Sequence, residues 1–141
     1  MDTDLYIRLI RDGEATCILV NGLREYRFCE RGIRTLFRLY ENEPETLHGA
    51  FIADKVVGKG AAALMVLGGA ASVYADTLSE PALQMLQEAG LPTTFGQCVP
   101  RIKNRTGNDF CPVEKRCLDC TAAEECLTAI RKFMEEQDSG K

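Results

Sequence analysis

Four of the seven cysteines in this sequence lie in one short stretch near its carboxyl terminus. They follow the pattern Cys111-x5-Cys117-x2-Cys120-x5-Cys126. The central Cys-x2-Cys has the spacing of zinc and iron–sulfur ligands, whereas the x5 arms are less typical of such sites. On one continuous helix the four thiols would spread over roughly 240° of the circumference. A shared metal site therefore requires a break in the helix.

The residues after Cys120 supply a candidate break. The segment Thr121-Ala-Ala-Glu124 is a capping-box pattern, which would begin the final helix after Cys120 and leave the preceding residues free to fold as a knuckle. A zinc or iron–sulfur site at the four cysteines is then one interpretation, and redox chemistry of the thiols is another. A third interpretation makes the thiols small core residues on one helical stripe: Val113, Cys117, Cys120, Ala123, Leu127, Ile130 and Met134.

A second candidate site is segment 54–60, where a predicted strand passes into a predicted helix. In open α/β sheets this is where ligands bind, because unpaired helix N–H groups favour an anion. Gly58 and Gly60 would let a phosphate approach the backbone, and Lys55 or Lys59 would supply charge beside Asp54. Glycines that permit tight packing, with solvated lysines, are the alternative interpretation.

The polar loop Asn104-Arg105-Thr106-Gly107 follows the last predicted strand and would overhang the same edge of the sheet. Arg105 could clamp a phosphate with two hydrogen bonds, and Asn104 could bind a base or a ribose. A plain structural loop explains the same residues. A P-loop is excluded, because Ala53 stands where that motif requires glycine and Gly60 where it requires serine or threonine.

Length and charge limit the class of protein. A chain of 141 residues has the size of one domain. We expect that domain to span residues 1–136 and to include the cysteine-rich segment 111–126, with a disordered tail over residues 137–141. The formal charge of −4 and the scattered basic residues argue against general nucleic-acid binding. The amino terminus is acidic, and the longest apolar run, 60–75, is too short to span a bilayer. These two features predict a cytoplasmic protein that does not bind membranes.

The order of predicted elements defines the fold class. A helix comes first, then a hairpin turning at Asn21-Gly22 in a type I′ turn, and then helices alternate with strands up to a terminal helix. This order predicts a three-layer α/β/α sandwich around a mixed central sheet. The predicted strands are 15–20, 23–29, 49–54, 71–76 and 93–99. The predicted helices before the terminal one are a short helix that includes Leu5 and ends at the Asp12-Gly13 stop, then 33–40, 58–67 and a helix between the Ser79 cap and the Gly90 stop.

Two stretches resemble a known family. They are Ala53-Asp-Lys-Val-Val-Gly-Lys-Gly-Ala-Ala-Ala-Leu and Val99-Pro-Arg-Ile-Lys-Asn-Arg-Thr-Gly, the second continuing to Cys111-Pro-Val-Glu. They resemble the domain-of-unknown-function 1893 family, which is mainly bacterial and is placed in the cytidine-deaminase-like superfamily. The resemblance extends over nearly the whole chain and implies a cytidine-deaminase-like fold in which a hairpin opens the sheet. It implies no established activity.

The residues of a zinc-dependent deaminase are missing. Active deaminases carry His-x-Glu or Cys-x-Glu after the third strand and Pro-Cys-x-x-Cys at the start of the next helix. The corresponding stretches here are Gly58-Lys-Gly-Ala-Ala-Ala and Ser79-Glu-Pro-Ala-Leu. The only histidine, His48, is interpreted as a structural or surface residue. Without three ligands and a proton-shuttling glutamate, zinc-dependent deamination is not expected.

The sequence therefore favours a domain, not a deaminase, that binds a nucleotide-like or phosphorylated small molecule in a vestigial deaminase cleft. One alternative is an enzyme of unknown reaction that uses Asp54 with Lys55 or Lys59 and no zinc. Another is a metal- or redox-responsive module built on the terminal cysteines. No cofactor follows with certainty, and an oligomer that pairs through an exposed sheet edge remains open.

Overall fold

A five-stranded mixed sheet forms the centre of the computed structural model, which describes residues 2–30, 33–103 and 111–139. The strand order is β2-β1-β3-β4-β5. Strand β1 is antiparallel to both β2 and β3, whereas β3, β4 and β5 are parallel. The strands are β1 (Cys17–Asn21), β2 (Arg24–Phe28), β3 (Phe51–Val57), β4 (Ser72–Ser79) and β5 (Thr93–Val99).

Six helices of the described residues cover the two faces of the sheet unequally. They are α1 (Thr3–Arg11), α2 (Arg34–Asn42), α3 (Lys59–Leu67), α4 (Glu80–Glu88), α5 (Pro112–Cys117) and α6 (Ala123–Ser139), with a 3₁₀ turn at Pro44–Thr46. Helix α1 packs on one face through a small cluster that includes Ile10 and Ile18. The other five contribute to the main core, which includes Cys17 and Leu19. Because side chains of β1 alternate between these clusters, the predicted α/β/α class with a mixed sheet is confirmed.

The first hairpin turns one residue later than predicted. Asn21 pairs with Arg24, so the two-residue loop is Gly22-Leu23 and only Gly22 has a positive φ, of 63°. A type I′ turn needs positive φ at both loop positions, so the predicted Asn21-Gly22 turn is wrong. Asn21 instead remains in the strand, where its side-chain amide donates to the carbonyl oxygens of Glu45, Thr46 and His48. These bonds attach the hairpin to the 3₁₀ turn.

The carboxyl-terminal region folds as two helices. Helix α5 ends at Cys117 and α6 begins at Ala123, so the predicted break after Cys120 is present. The side chain that caps α6 is Glu125, not Glu124: its Oε1 accepts from the Thr121 hydroxyl at 2.7 Å and from the Ala122 N–H at 3.3 Å.

Helix α6 also runs further than expected. It continues to Ser139 and so includes residues 137–139, the first part of the segment for which we expect a disordered tail. An ion pair of 3.8 Å between Arg34 and Asp138 connects this last turn to α2. None of the helices in the described ranges is long and apolar enough to cross a membrane.

Candidate functional site

A carboxylate from α5 occupies the amino terminus of α3, at the carboxyl end of β3. Glu114 is only 1% exposed, and its Oε2 accepts a hydrogen bond of 2.6 Å from the backbone N–H of Lys59. The free N–H groups and the dipole of a helix favour negative charge at this end. Glu114 therefore takes the position in which the sequence predicts a phosphate.

The second carboxylate oxygen of Glu114 is unsatisfied. Its Oε1 is buried and has no hydrogen-bond partner within the described part of the chain. A buried polar atom without a partner costs about 1–3 kcal/mol, and more when it is charged. Glu114 therefore offers a strong acceptor to any group that can reach it with a donor.

The two glycines of segment 54–60 make room for α5. A Cβ atom on Gly58 would collide with Oε2 of Glu114, and one on Gly60 would lie 2.7 Å from Cγ1 of Val113. Both distances are shorter than the van der Waals contact distance of a side-chain carbon. The packing interpretation of these glycines thus agrees with the geometry, and the space predicted for a phosphate is filled by Glu114 and Val113.

Lys59 connects α3 to the turn that follows α5. Its Nζ donates to the carbonyl oxygen of Leu118 at 3.2 Å and to that of Cys120. Since its backbone N–H also holds Glu114, Lys59 is bonded to both ends of the segment between Glu114 and Cys120. Its ammonium group is committed to the protein and lies beside the cysteines.

Lys55 lies on the opposite face of the sheet. Consecutive strand residues point to opposite faces, so Lys55 cannot share a face with Asp54. Its Nζ is 3.0 Å from a carboxylate oxygen of Asp76 and donates to the carbonyl oxygens of Ile10 and Arg11, at the negative end of α1. The structure therefore does not bring the predicted Lys55 and Lys59 together around one cleft.

Asp54 lies on the side of the sheet covered by five helices. It is directly opposite Cys17, and opposed residues point to the same face. Burial raises the pKa of the Asp54 carboxyl to about 7, although the backbone N–H groups of Lys55 and Val56 partly offset this effect. Burial and the neighbouring Asp54 also raise the pKa of the Cys17 thiol well above its usual value. Asp54 can therefore gain or lose a proton near neutral pH.

Three thiols meet at the break between α5 and α6. Cys117 and Cys126 are fully buried and Cys120 is half-buried, and all three are free thiols. The neighbouring thiols of Cys117 and Cys120, together with the Lys59 ammonium, lower the pKa of Cys126 to about 7, against the opposing effect of burial. The Cys120 thiol itself donates to the carbonyl oxygen of Arg116 at 3.8 Å. The neighbouring Cys126 and burial raise the pKa of the Cys117 thiol. Among the three thiols, the surroundings therefore favour deprotonation of Cys126 over deprotonation of Cys117.

The fourth predicted metal ligand, Cys111, lies at the amino end of α5, where its backbone N–H donates to the carbonyl of Ile102 at 2.8 Å. In the ranges 2–30, 33–103 and 111–139, no group of three or more histidine, cysteine, aspartate or glutamate side chains has the arrangement of a metal site. A zinc or iron–sulfur site at Cys111, Cys117, Cys120 and Cys126 stays a prediction.

Two surface cavities lie away from these side chains. One, of about 470 Å³, lies between the hairpin and the 3₁₀ turn and is lined by Asn21, Leu23, Arg24, Tyr26, Glu43, Glu45 and Thr46. The other, of about 160 Å³, lies between α2 and α6 and is lined by Glu30, Arg34, Phe37, Arg38, Met134 and Asp138. Neither of the two is lined by a residue that the sequence analysis selected for ligand binding.

Sequence reasoning missed Glu114 and could not place the polar loop. Glu114 is the third residue of α5, where an acid is ordinary, and nothing local indicates that it reaches a helix 55 residues earlier. A signal was available in the stretch Cys111-Pro-Val-Glu, which ends at Glu114 and is part of the family resemblance. Asn104 and Arg105 lie outside the described residues.

The fold and this site define an α/β protein in which a buried glutamate closes the carboxyl end of β3 at the start of α3. The chain belongs to the family described as a domain of unknown function, DUF1893, whose model matches residues 6–134. Its structure is similar to the crystal structure of a DUF1893 family protein (TM1506) from Thermotoga maritima, with a TM-score of 0.82 and 22% identity over 92% of this chain and 88% of that one. At this identity the likeness shows the fold alone. No curated protein matches the chain. The predicted family is confirmed, whereas the superfamily placement stays a prediction.

Proposed function

We propose that this protein binds a nucleotide-like small molecule at the carboxyl end of β3, and that the ligand donates a hydrogen bond to Glu114. The observation that carries the proposal is the buried Oε1 of Glu114, which has no partner in the described part of the chain while Oε2 is bonded to α3. A ligand N–H group that reached Oε1 would remove the cost of this unsatisfied acceptor.

The charge at this position favours a base over a phosphate. An ionised carboxylate only accepts hydrogen bonds, and it repels a phosphate placed beside it. Lys59, the predicted counter-charge, already donates to two carbonyl oxygens. Nucleobase edges carry amino and imino donors of the kind that protein acceptors bind. A phosphate on the ligand would therefore gain no favourable contact at this position.

Calorimetric titration with a panel of nucleosides tests the proposal. We expect at least one nucleoside to bind, and we expect Glu114→Gln to weaken that binding about tenfold or more, a loss of ~1.4 kcal/mol or more. Glutamine keeps the shape of the side chain but loses the charge that strengthens the bond. Glu124→Gln is the matched control, since Glu124 is an exposed acid on α6. Absence of nucleoside binding, or equal affinity in a folded Glu114→Gln variant, would reject the proposal.

Catalysis by Asp54 is a second candidate function. It is favoured by the pKa of about 7, which suits a general acid or base at neutral pH. Lys55 and Lys59 support it less, because each ammonium group is already held by protein acceptors. Mass spectrometry of any nucleoside that binds, after prolonged incubation with the protein, would detect conversion. We expect Asp54→Asn to retain binding and abolish conversion, and an unchanged ligand would exclude this function for that nucleoside.

A further inference from the structure

Strand β5 forms one edge of the sheet, and its outer side is open. It is last in the strand order, so within residues 2–30, 33–103 and 111–139 no other strand pairs with its outer edge. Its five central residues, 94–98, are exposed, and the large apolar side chain among them, Phe95, is 42% exposed. We infer that this edge pairs with the same edge of a second copy of the chain, in an antiparallel two-fold dimer that is independent of the proposed ligand.

The two edges of the sheet differ in charge. The other edge strand, β2, reads Arg24-Glu-Tyr-Arg-Phe, so three of its five residues are charged. Charged side chains on an edge strand oppose its pairing with a further strand. Strand β5 reads Thr93-Thr-Phe-Gly-Gln-Cys-Val and has neither a charged residue nor a proline. A second copy can therefore approach β5 without removing a charge of this strand from water.

The backbone of β5 turns the donors and acceptors of alternate residues to the outer edge. The N–H of Val73 in β4 donates to the carbonyl oxygen of Pro92 at 2.9 Å, and Val73 pairs with Thr93. In a parallel ladder with this start, the even-numbered residues of β5 bond to β4. The odd-numbered residues, which are 93, 95, 97 and 99, turn their N–H and C=O groups outward. These are the groups that a further strand would bond.

The strand is complementary to itself over its full length when the two-fold axis passes beside Gly96. Phe95 then lies opposite Gln97 of the second copy, and Thr93 lies opposite Val99. Every such pair joins two residues whose backbone groups face outward, so the two strands would form about eight hydrogen bonds, two for each pair. Gly96 opposes Gly96 of the second copy in the closer kind of pair, where a glycine leaves room.

Phe95 supplies the apolar contact of this interface. It lies opposite Ala75, a residue of the main core, so its ring is on the side of the sheet that five helices cover. Helix α4 packs beside β5 on this side. In the register about Gly96, the two Phe95 residues are diagonal neighbours at about 7–8 Å, a separation that aromatic rings can bridge. Dimerisation would thus cover the exposed part of Phe95.

The size of the contact predicts a weak dimer. The seven residues of β5 extend over about 24 Å. A pair of strands of this length buries less surface than the roughly 1,200–2,000 Å² of a stable complex. The charge of −4 on each copy also opposes association. We therefore expect micromolar dissociation and, because salt screens this repulsion while β5 itself has no charge to screen, a dimer that added salt strengthens.

Sedimentation velocity of the full chain, from about 1 to about 300 µM, tests the dimer. We expect Phe95→Lys to weaken dimerisation about tenfold or more, because it removes the apolar contact and brings two ammonium groups together. The matched control is Leu23→Lys, since Leu23 is a fully exposed leucine at the tip of the hairpin, beside the other edge. Gln97→Pro should also weaken the dimer, because it removes an outward N–H and leaves the bonds to β4 intact.

Cross-linking at Cys98 tests the register without changing the interface. In the dimer Cys98 lies opposite Thr94 of the second copy, so the two Cys98 residues are on one face and about 14 Å apart along the strands. The chain for this experiment carries Cys29→Ser, which removes the other exposed cysteine. A bismaleimide of matching reach should join two copies through Cys98, as peptide mapping would show.

Three results would overturn the inference. The first is a chain that stays monomeric over the whole range, which would leave this edge to a strand of another protein. The second is a dimer that Phe95→Lys and Gln97→Pro leave unchanged while thermal melts show both variants to be folded. The third is a dimer that cross-links only through cysteines other than Cys98. Because the cross-link uses the unaltered edge, it decides the question if either variant fails to fold.

Discussion

At the scale of single residues, the protein places two carboxyl groups in surroundings that do not suit them. Glu114 has one oxygen bound to α3 and one without a described partner. Asp54 has a pKa raised to about 7, chiefly by burial. Groups in such states are concentrated at functional sites, although structural networks also produce them. They are the residues on which we base the proposed binding and the proposed catalysis.

The state of Asp54 predicts a pH-dependent stability. The carboxyl titrates near its ordinary pKa of 3.8 in the unfolded chain and near 7 in the folded one, so between these values the folded state binds more protons. Stability should fall as the pH rises from about 4 to about 7 and then level off. Each pKa unit corresponds to ~1.4 kcal/mol, so at pH 8 the free energy of unfolding of Asp54→Asn should exceed that of the parent by up to about 4 kcal/mol. The gain, measured by urea unfolding, should vanish near pH 4. If the gain in stability were the same at pH 4 and pH 8, the raised pKa of Asp54 would be contradicted.

At the scale of elements, short side-chain contacts decide how neighbouring segments join. Asn21 holds the 3₁₀ turn with one amide group, at 3.2 Å from Glu45 O and Thr46 O and 2.9 Å from His48 O. Gly60 lets α5 approach α3. Each contact joins segments that are distant in sequence, so each can be tested by one substitution.

Asn21→Asp should destabilise the protein by about 1–3 kcal/mol, because it replaces a donor with a charged acceptor that faces three carbonyl oxygens. Denaturant unfolding measures the effect. Asn42→Asp is the control, since Asn42 is exposed at the end of α2 and should change stability by less than about 0.5 kcal/mol. Equal effects of the two substitutions would show that the hairpin does not depend on the Asn21 amide.

Gly60→Ala should also destabilise, by about 1–3 kcal/mol, although alanine is the better helix former. The added Cβ would lie 2.7 Å from Val113 Cγ1 and 3.1 Å from Ile33 Cδ1. A second substitution, Val113→Ala, should recover part of the loss, and a double-mutant cycle in urea measures that coupling. If the Gly60→Ala variant were more stable than the parent, α5 would not be packed tightly on α3.

At the scale of the whole molecule, the sequence predicted the sheet better than the site. The parallel strands and their helices were recognised because periodicity and glycine stops are local signals, and β5 was found over its full length. The break between α5 and α6 also followed from a local capping pattern. The contact of Glu114 with α3 and the separation of Lys55 from Lys59 could not be predicted in this way. They depend on how distant elements pack and on the face to which a strand residue points.

The most direct test compares a nucleoside with its monophosphate, titrated into the same protein sample at one ionic strength. Because Glu114 fills the anion position of α3, the account predicts that the nucleoside binds and that the added phosphate does not increase its affinity. A monophosphate that binds at least tenfold more tightly, with Glu114→Gln improving that binding further, would contradict it. That result would mean that the amino terminus of α3 is a phosphate site from which Glu114 is displaced.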